Sequence, residues 1–201
     1  MRESIGMLKK ALLPALLALP LAGCLGGLGG KAPDELYTLT PVSVAPAGAS
    51  TTAQATTALA ILEPNVGQRL NVTRIPVQMT DSTLAYLKDA VWVEKPARLF
   101  QNLVVESVRA RGNRLVVREG DLGYNAITQL SGQLLDMGYD AASGSVVVRY
   151  DGVLQSPDGQ VRTRRFESRV SGVAAEAAAV GPALNQAANQ VAGEVADWVG
   201  S

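Results

Sequence analysis

Residues 127–170 read ITQLSGQLLDMGYDAASGSVVVRYDGVLQSPDGQVRTRRFESRV, and this stretch decides the fold. Apolar and polar residues alternate with a period of two along 127–139, 145–155 and 160–170, the pattern of three consecutive half-buried strands. Ala141-Ala142-Ser143-Gly144 and Pro157-Asp158-Gly159 lie between them, and both are tight-turn sequences. Connections this short join only antiparallel neighbours, so the three strands form a meander.

On the C-terminal side, Pro182 opens a helix. Leu184, Ala187, Ala188, Val191, Val195 and Trp198 fall on one of its faces, and the small alanines let it approach a neighbour closely. On the N-terminal side, Leu115-Val116-Val117 is a short strand preceded by another helix. Pro96 begins that helix, at a position where a missing backbone N–H costs least, and Gly112 ends it where a left-handed residue is wanted. Phe100, Leu103, Val104, Ser107 and Val108 make its buried stripe, with Gln101, Asn102, Glu106 and Arg109 mainly on the other side.

Further toward the N-terminus, Leu59-Ala60-Ile61-Leu62 is apolar on both faces, as a buried central strand would be. Residues 74–79 are a strand that Pro76 assigns to an edge or a bulge. Leu84-Ala85-Tyr86 and Val91-Trp92-Val93 are two short extended pieces joined through Lys88 and Asp89. Residues 36–40 are a short strand closed by Pro41, and residues 42–58 are an uncharged Ala/Ser/Thr/Pro stretch that reads as a flexible loop. The strands are not separated by regular helices. The expected class is therefore α+β: a single domain with a twisted mixed or antiparallel sheet of about five to seven strands and two main helices on one face.

The chain begins differently. Arg2, Lys9 and Lys10 precede a nearly unbroken apolar run from Ala11 to Ala22, shorter than the roughly 20 residues a membrane-spanning helix needs. Small residues follow, so residues 1–23 read as a cleaved export signal. Leu21-Ala22-Gly23-Cys24 resembles a bacterial lipobox, which implies that cleavage leaves Cys24 as a lipid-modified amino terminus. An ordinary secretory signal with a chance cysteine is the alternative. Cys24 is the only cysteine in the chain, so neither a disulfide nor a cysteine metal site can form. Acyl chains contribute roughly 0.8 kcal/mol per buried methylene, enough for two or more to hold a protein on a membrane. Residues 24–35 form a glycine-rich tether averaging roughly 20 Å end to end, which keeps the domain at 36–201 near its membrane. Leu25 after the cysteine resembles an outer-membrane address in enteric bacteria.

Without the signal, 178 residues remain, with 15 basic and 17 acidic side chains, a net charge of −2. That balance and the 4% aromatic content argue against nucleic acid as a partner. The chain has no histidine, which excludes Ser-His-Asp and Cys-His catalysis. No Walker-type phosphate loop occurs. The expectation is a non-enzyme with no cofactor and no metal, although a carboxylate-pair enzyme stays open. Arg149, Arg162, Arg164, Arg165 and Arg169 form the densest basic cluster. It suits lipid phosphates or an acidic partner, or more simply a charged strand guarding a sheet edge. Asp121, Asp136, Asp140 and Asp151 read as turn caps, without calcium-loop spacing. Tyr86 and Trp92 read as core packing ahead of a ligand cage.

Taken in order, these features resemble the ABC-type transport auxiliary lipoproteins of Gram-negative bacteria. The residues carrying the resemblance are the lipobox ending at Cys24, the Leu36–Leu39 stretch, Leu59–Pro64 and Arg74–Val77. Tyr86 and Trp92 follow, then Arg165-Phe166 and the Ala-rich helix closing on Trp198-Val199. One departure is Val91, where the family often has arginine directly before the tryptophan. The resemblance implies an accessory subunit at the outer membrane that faces the periplasm. Its partners would be an MCE-domain protein and an ABC permease and ATPase, with phospholipid or another hydrophobic molecule as cargo. Arg74, Tyr86 and Trp92 are the candidate partner-interface residues. Self-association, and a structural role in outer-membrane assembly, stay open.

Overall fold

The computed structural model describes residues 35–54, 57–112, 114–118 and 128–200. The expected signal, Cys24 and most of the tether lie outside the described residues, as do Asp121 and Ile127.

Among the described residues the sheet has eight strands, and its spine is β6 (Thr128–Asp140). The meander is as expected: β6 pairs antiparallel with β7 (Ser145–Gln155), which pairs antiparallel with β8 (Val161–Ser171). The other edge of β6 is shared along its length by three shorter strands, all parallel to it. These are β1 (Leu59–Ile61), β2 (Asn65–Val66) and β3 (Arg74–Gln78). Beyond β1 lies β5 (Val116–Arg118), parallel, and beyond β3 lies β4 (Leu84–Val91), antiparallel. β1 is therefore central and buried throughout, as its unbroken apolar run requires.

Pro76 sits at a shift of register between β3 and β4, in an interior strand. It marks a bulge there, not an edge. The two extended pieces expected around Lys88 and Asp89 are one strand, in which Asp89 takes a positive φ of 54°. The strand expected at 36–40 reduces to a single bridge between Tyr37 and Trp92.

α1 (Pro96–Ala110) has the predicted bounds and stripe, and Gly112 beyond it has φ 69°. Ten of its 15 residues are buried, because sheet, second helix and N-terminal segment surround it. Gln101, expected on the polar side, is 4% exposed and donates from Nε2 to the Ile61 carbonyl at 2.9 Å. That bond satisfies an amide that would otherwise be costly to bury.

α2 (Ala177–Gly200) begins five residues before the proline expected to open it, so Pro182 lies inside the helix. The first turn forms upstream, where the Glu176 carbonyl accepts from the N–H groups of Ala179 and Val180 at 3.0 and 2.9 Å. Proline then removes one bond in the second turn, and burial of Val180, Gly181 and Leu184 offsets the loss. The predicted apolar face of α2 lies wholly in the core. Phe100, Tyr150, Phe166 and Trp198 follow one another through that core with centroid separations of 5.2, 6.3 and 5.5 Å.

Residues 36–45 run as an extended strap over the helices. Tyr37 exchanges backbone bonds with Val91 and Val93, both at 2.8 Å. Thr40 N–H donates to Asn185 Oδ1 (2.8 Å), Val42 N–H to Asn189 Oδ1 (2.9 Å), and Ala45 N–H to Glu106 Oε1 (2.8 Å). The start of the stretch expected as a flexible loop is thus irregular but tied down.

Candidate functional site

Both helices pack on one face of the sheet. On β7, Val146, Val148, Tyr150 and Leu154 point into the core at 0–3% exposure. The intervening residues point to a face that no helix covers among the described residues, and the register there lines up opposite charges.

Asp136, Arg149 and Glu167 are neighbours across β6, β7 and β8, and Asp151 stands opposite Arg165. Arg149 donates to Asp136 Oδ2 at 2.9 Å and to Glu167 Oε2 at 2.6 Å. Arg69, from the turn between β2 and β3, reaches Asp136 Oδ1 at 2.6 Å. Arg165 grips Asp151 with two bonds of 2.6 and 2.7 Å, and Arg169 lies 3.3 Å from Asp140 Oδ2.

These contacts set the titration of the face. The Arg149 hydrogen bond holds the Glu167 carboxyl below the usual range, and Arg165 does the same for Asp151. Asp140 is lowered first by the Ser143 hydroxyl and then by Arg169. Arg149 and Arg165 are raised in turn, each chiefly by the carboxylate it bonds. Asp140, Asp151, Glu167, Arg149 and Arg165 are therefore charged at neutral pH, and carboxylates and guanidinium groups stand opposite one another across the face. Such a pattern selects a partner by complementarity more than it supplies raw affinity.

Beside the ion pairs runs a less polar row. Tyr86 pairs with Pro76, Pro76 lies against Gly138, and Gly138 pairs with Val147. A cleft of about 140 Å³ opens between the two, lined by Arg69, Pro76, Leu84, Asp136, Val147 and Arg169 among others. Drug-sized ligands occupy roughly 300–1,000 Å³, so the cleft is a surface feature and not a lipid-sized chamber.

The structure separates the three expected interface residues. Arg74 and Tyr86 come together on this face, with the exposed guanidinium 4.5 Å from the centre of the half-buried ring. Trp92 goes into the core at 1% exposure, edge-on to Tyr37 at 6.4 Å, and its Nε1–H has no hydrogen-bond partner among the described residues. A side chain so enclosed makes no surface contact, so Trp92 is a core residue. Cys24 lies outside the described residues.

The arginine cluster also divides. Arg165 and Arg169 join carboxylates on the bare face, while Arg162 and Arg164 point the other way over the Trp198 and Phe166 rings, at 5.7 and 4.9 Å. Asp140 does cap its turn, accepting from Ala142 N–H at 3.1 Å. Asp136 and Asp151 are instead strand residues whose partners are arginines. Among the described residues no three acids, histidines or cysteines gather as a metal site would require. The sequence reading missed Arg69 altogether. Its only local signal is a lone basic residue in a short 3-10 turn (Gln68–Leu70), and nothing there names a partner 67 positions away.

The fold is shared with solved proteins. A crystal structure of a DUF330-family protein from Xanthomonas campestris matches with a TM-score of 0.69 at 20% identity, covering 83% of this chain and 95% of that one. A second crystal structure, of an uncharacterized protein, matches with a TM-score of 0.63 at 15% identity over 82% of this chain and 99% of that one. No curated protein matches the chain. The family model for the ABC-type transport auxiliary lipoprotein component matches residues 37–196. That span runs from the strap's Tyr37 almost to the end of α2, so the chain belongs to the ABC-type transport auxiliary lipoprotein family, an auxiliary component of the cell envelope.

Proposed function

We propose that this protein is a lipid-anchored accessory subunit of an MCE-type ABC transporter, acting by binding and not by catalysis. In this reading, Cys24 carries the acyl chains, the anchor sits in the outer membrane, and the domain faces the periplasm. The domain holds the MCE-domain protein in place while the permease and ATPase drive movement of phospholipid or another hydrophobic molecule. The observation that carries this reading is the family match across residues 37–196. The helix-free sheet face agrees with it, since its matched charges beside the exposed Arg74–Tyr86 pair suit recognition of another protein. The chain has no histidine and one cysteine, so it is poorly supplied for chemistry.

The test has two arms. Cys24→Ala should be exported yet leave the membrane fraction, and the soluble product should still capture the MCE-domain protein encoded with it at micromolar concentration. Failure of capture, with the domain folded, would overturn the docking role. Co-purification with an outer-membrane barrel instead would favour a structural role in envelope assembly.

A further inference from the structure

The strap is amphipathic in an unusual way. From residue 36 to 45 its side chains alternate strictly, odd positions toward the domain and even positions toward solvent. That is the signature of an extended chain lying on a surface, although no strand pairs with most of it. Tyr37 and Leu39 on the inward side pack with the core. On the outward side, Leu36, Val42 and Val44 are 54%, 79% and 61% exposed, with Thr38 and Thr40 between them, and Val93, bonded to the Tyr37 carbonyl, is 50% exposed. From Leu36 to Leu62 there is no charged residue. Four of the seven large apolar side chains exposed among the described residues thus lie along this one segment and its neighbour. A run from residue 36 to 44 covers roughly 26 Å at an extended rise.

We propose that the outward edge of the strap is a membrane-contact surface, which seats the domain on the same lipid leaflet that holds its anchor. The inference rests on acylation of Cys24. Only residues 25–35 separate Cys24 from Leu36, so even a fully extended connection, at most about 3.6 Å per residue, holds the strap within about 43 Å of the anchor. An uncharged apolar edge held at that distance partitions into the headgroup boundary, where apolar faces of peripheral proteins settle about 5–10 Å deep. The strap is fastened to α2 and α1 through Asn185, Asn189 and Glu106. Contact at the strap therefore orients the whole domain. From Thr40 to Ala45 the strap lies on the helices, which cover the sheet face opposite the charged one, so the charged sheet face turns away from that membrane, toward whatever approaches across the periplasm.

The test uses the full acylated chain in vesicles of phosphatidylethanolamine and phosphatidylglycerol containing lipids with a quencher near the headgroup. With the Cys24 thiol acylated, Val44→Cys introduces a single reactive thiol for an environment-sensitive dye. Thr163→Cys places the same dye on the bare sheet face, opposite Val153. The dye at 44 should shift to the blue and be quenched, as expected for a group inserted about 5–10 Å deep, while the dye at 163 should do neither. A Val42→Asp change in the labelled 44 variant should abolish the quenching without releasing the chain from the vesicles. If the chain sediments with vesicles but positions 44 and 163 respond alike, the membrane-contact surface is overturned and the anchor stands. If the chain does not sediment at all, both fall.

Discussion

The ring of Tyr37 rests on the backbone of Gly181: a β-carbon at residue 181 would lie 2.2 Å from Cε1 of the ring. This contact joins the strap to the turn of α2 that contains Pro182. It also explains why a glycine is present in a buried stretch of helix.

Gly181→Ala tests that contact. Alanine improves helix propensity by about 1 kcal/mol, while an overpacked contact costs about 1–3 kcal/mol. The relief available is movement of Tyr37, so we expect net destabilisation of about 1 kcal/mol and release of the strap. Amide hydrogen exchange at Thr40 and Val42 should quicken, since both N–H groups are held by α2 side chains. In a Tyr37→Ala background the same change should be neutral or stabilising, giving a coupling of about 1–2 kcal/mol. Equal effects in both backgrounds would rule out the contact as the cause.

Gly138→Ala should be costlier. The new β-carbon would meet the Pro76 carbonyl oxygen at 2.5 Å and Pro76 Cγ at 2.9 Å. Here the obstacle is backbone of the adjoining strand, which cannot rotate aside. We expect a loss of about 3 kcal/mol, the upper end for overpacking, read as a lower urea midpoint with an unchanged slope. A loss below that of Gly181→Ala would contradict the packing of β3 on β6.

The charged face predicts a pH response with a definite sign. Asp140, Asp151 and Glu167 all have folded-state values below their unfolded ones. Their stabilisation is therefore complete above the unfolded carboxylate range, about pH 4, and is lost as pH falls through the lower folded values. The melting temperature should be flat from neutral pH to about 5 and then decline. High salt should flatten the decline, because these groups are partly exposed and so screened. Changing Glu167→Gln should reduce the acid sensitivity. A melting temperature that rose on acidification would contradict the assignment.

Arg74 and Tyr86 should matter for binding and little for folding. An exposed cation–π pair contributes about 0.5–1 kcal/mol, so Arg74→Ala should leave stability within that amount. If the bare face receives the partner, the same change should weaken capture of the MCE-domain protein about tenfold, equivalent to about 1.4 kcal/mol. Trp92→Phe offers the contrast, because a residue 1% exposed affects stability before it affects binding. Unchanged capture by Arg74→Ala would move the interface elsewhere.

Much of this protein follows from local sequence alone. The meander, the stripe of α1, the buried β1 and the face of α2 are all set by apolar period and turn chemistry within short windows. The charged face was another matter. A register shift between Leu134 and Asp136 reverses the parity of β6, so Leu134 and Met137 both point into the core. Strict alternation would have buried Asp136; the bulge puts it between Arg69 and Arg149. The parallel pairing of β1 with β5 and β6, the burial of Gln101, and the strap clasped by Asn185 and Asn189 are likewise settled by residues distant in the chain. Local patterns report which surface an element will bury. Which partners meet across that surface depends on long-range packing, which no short stretch of sequence contains.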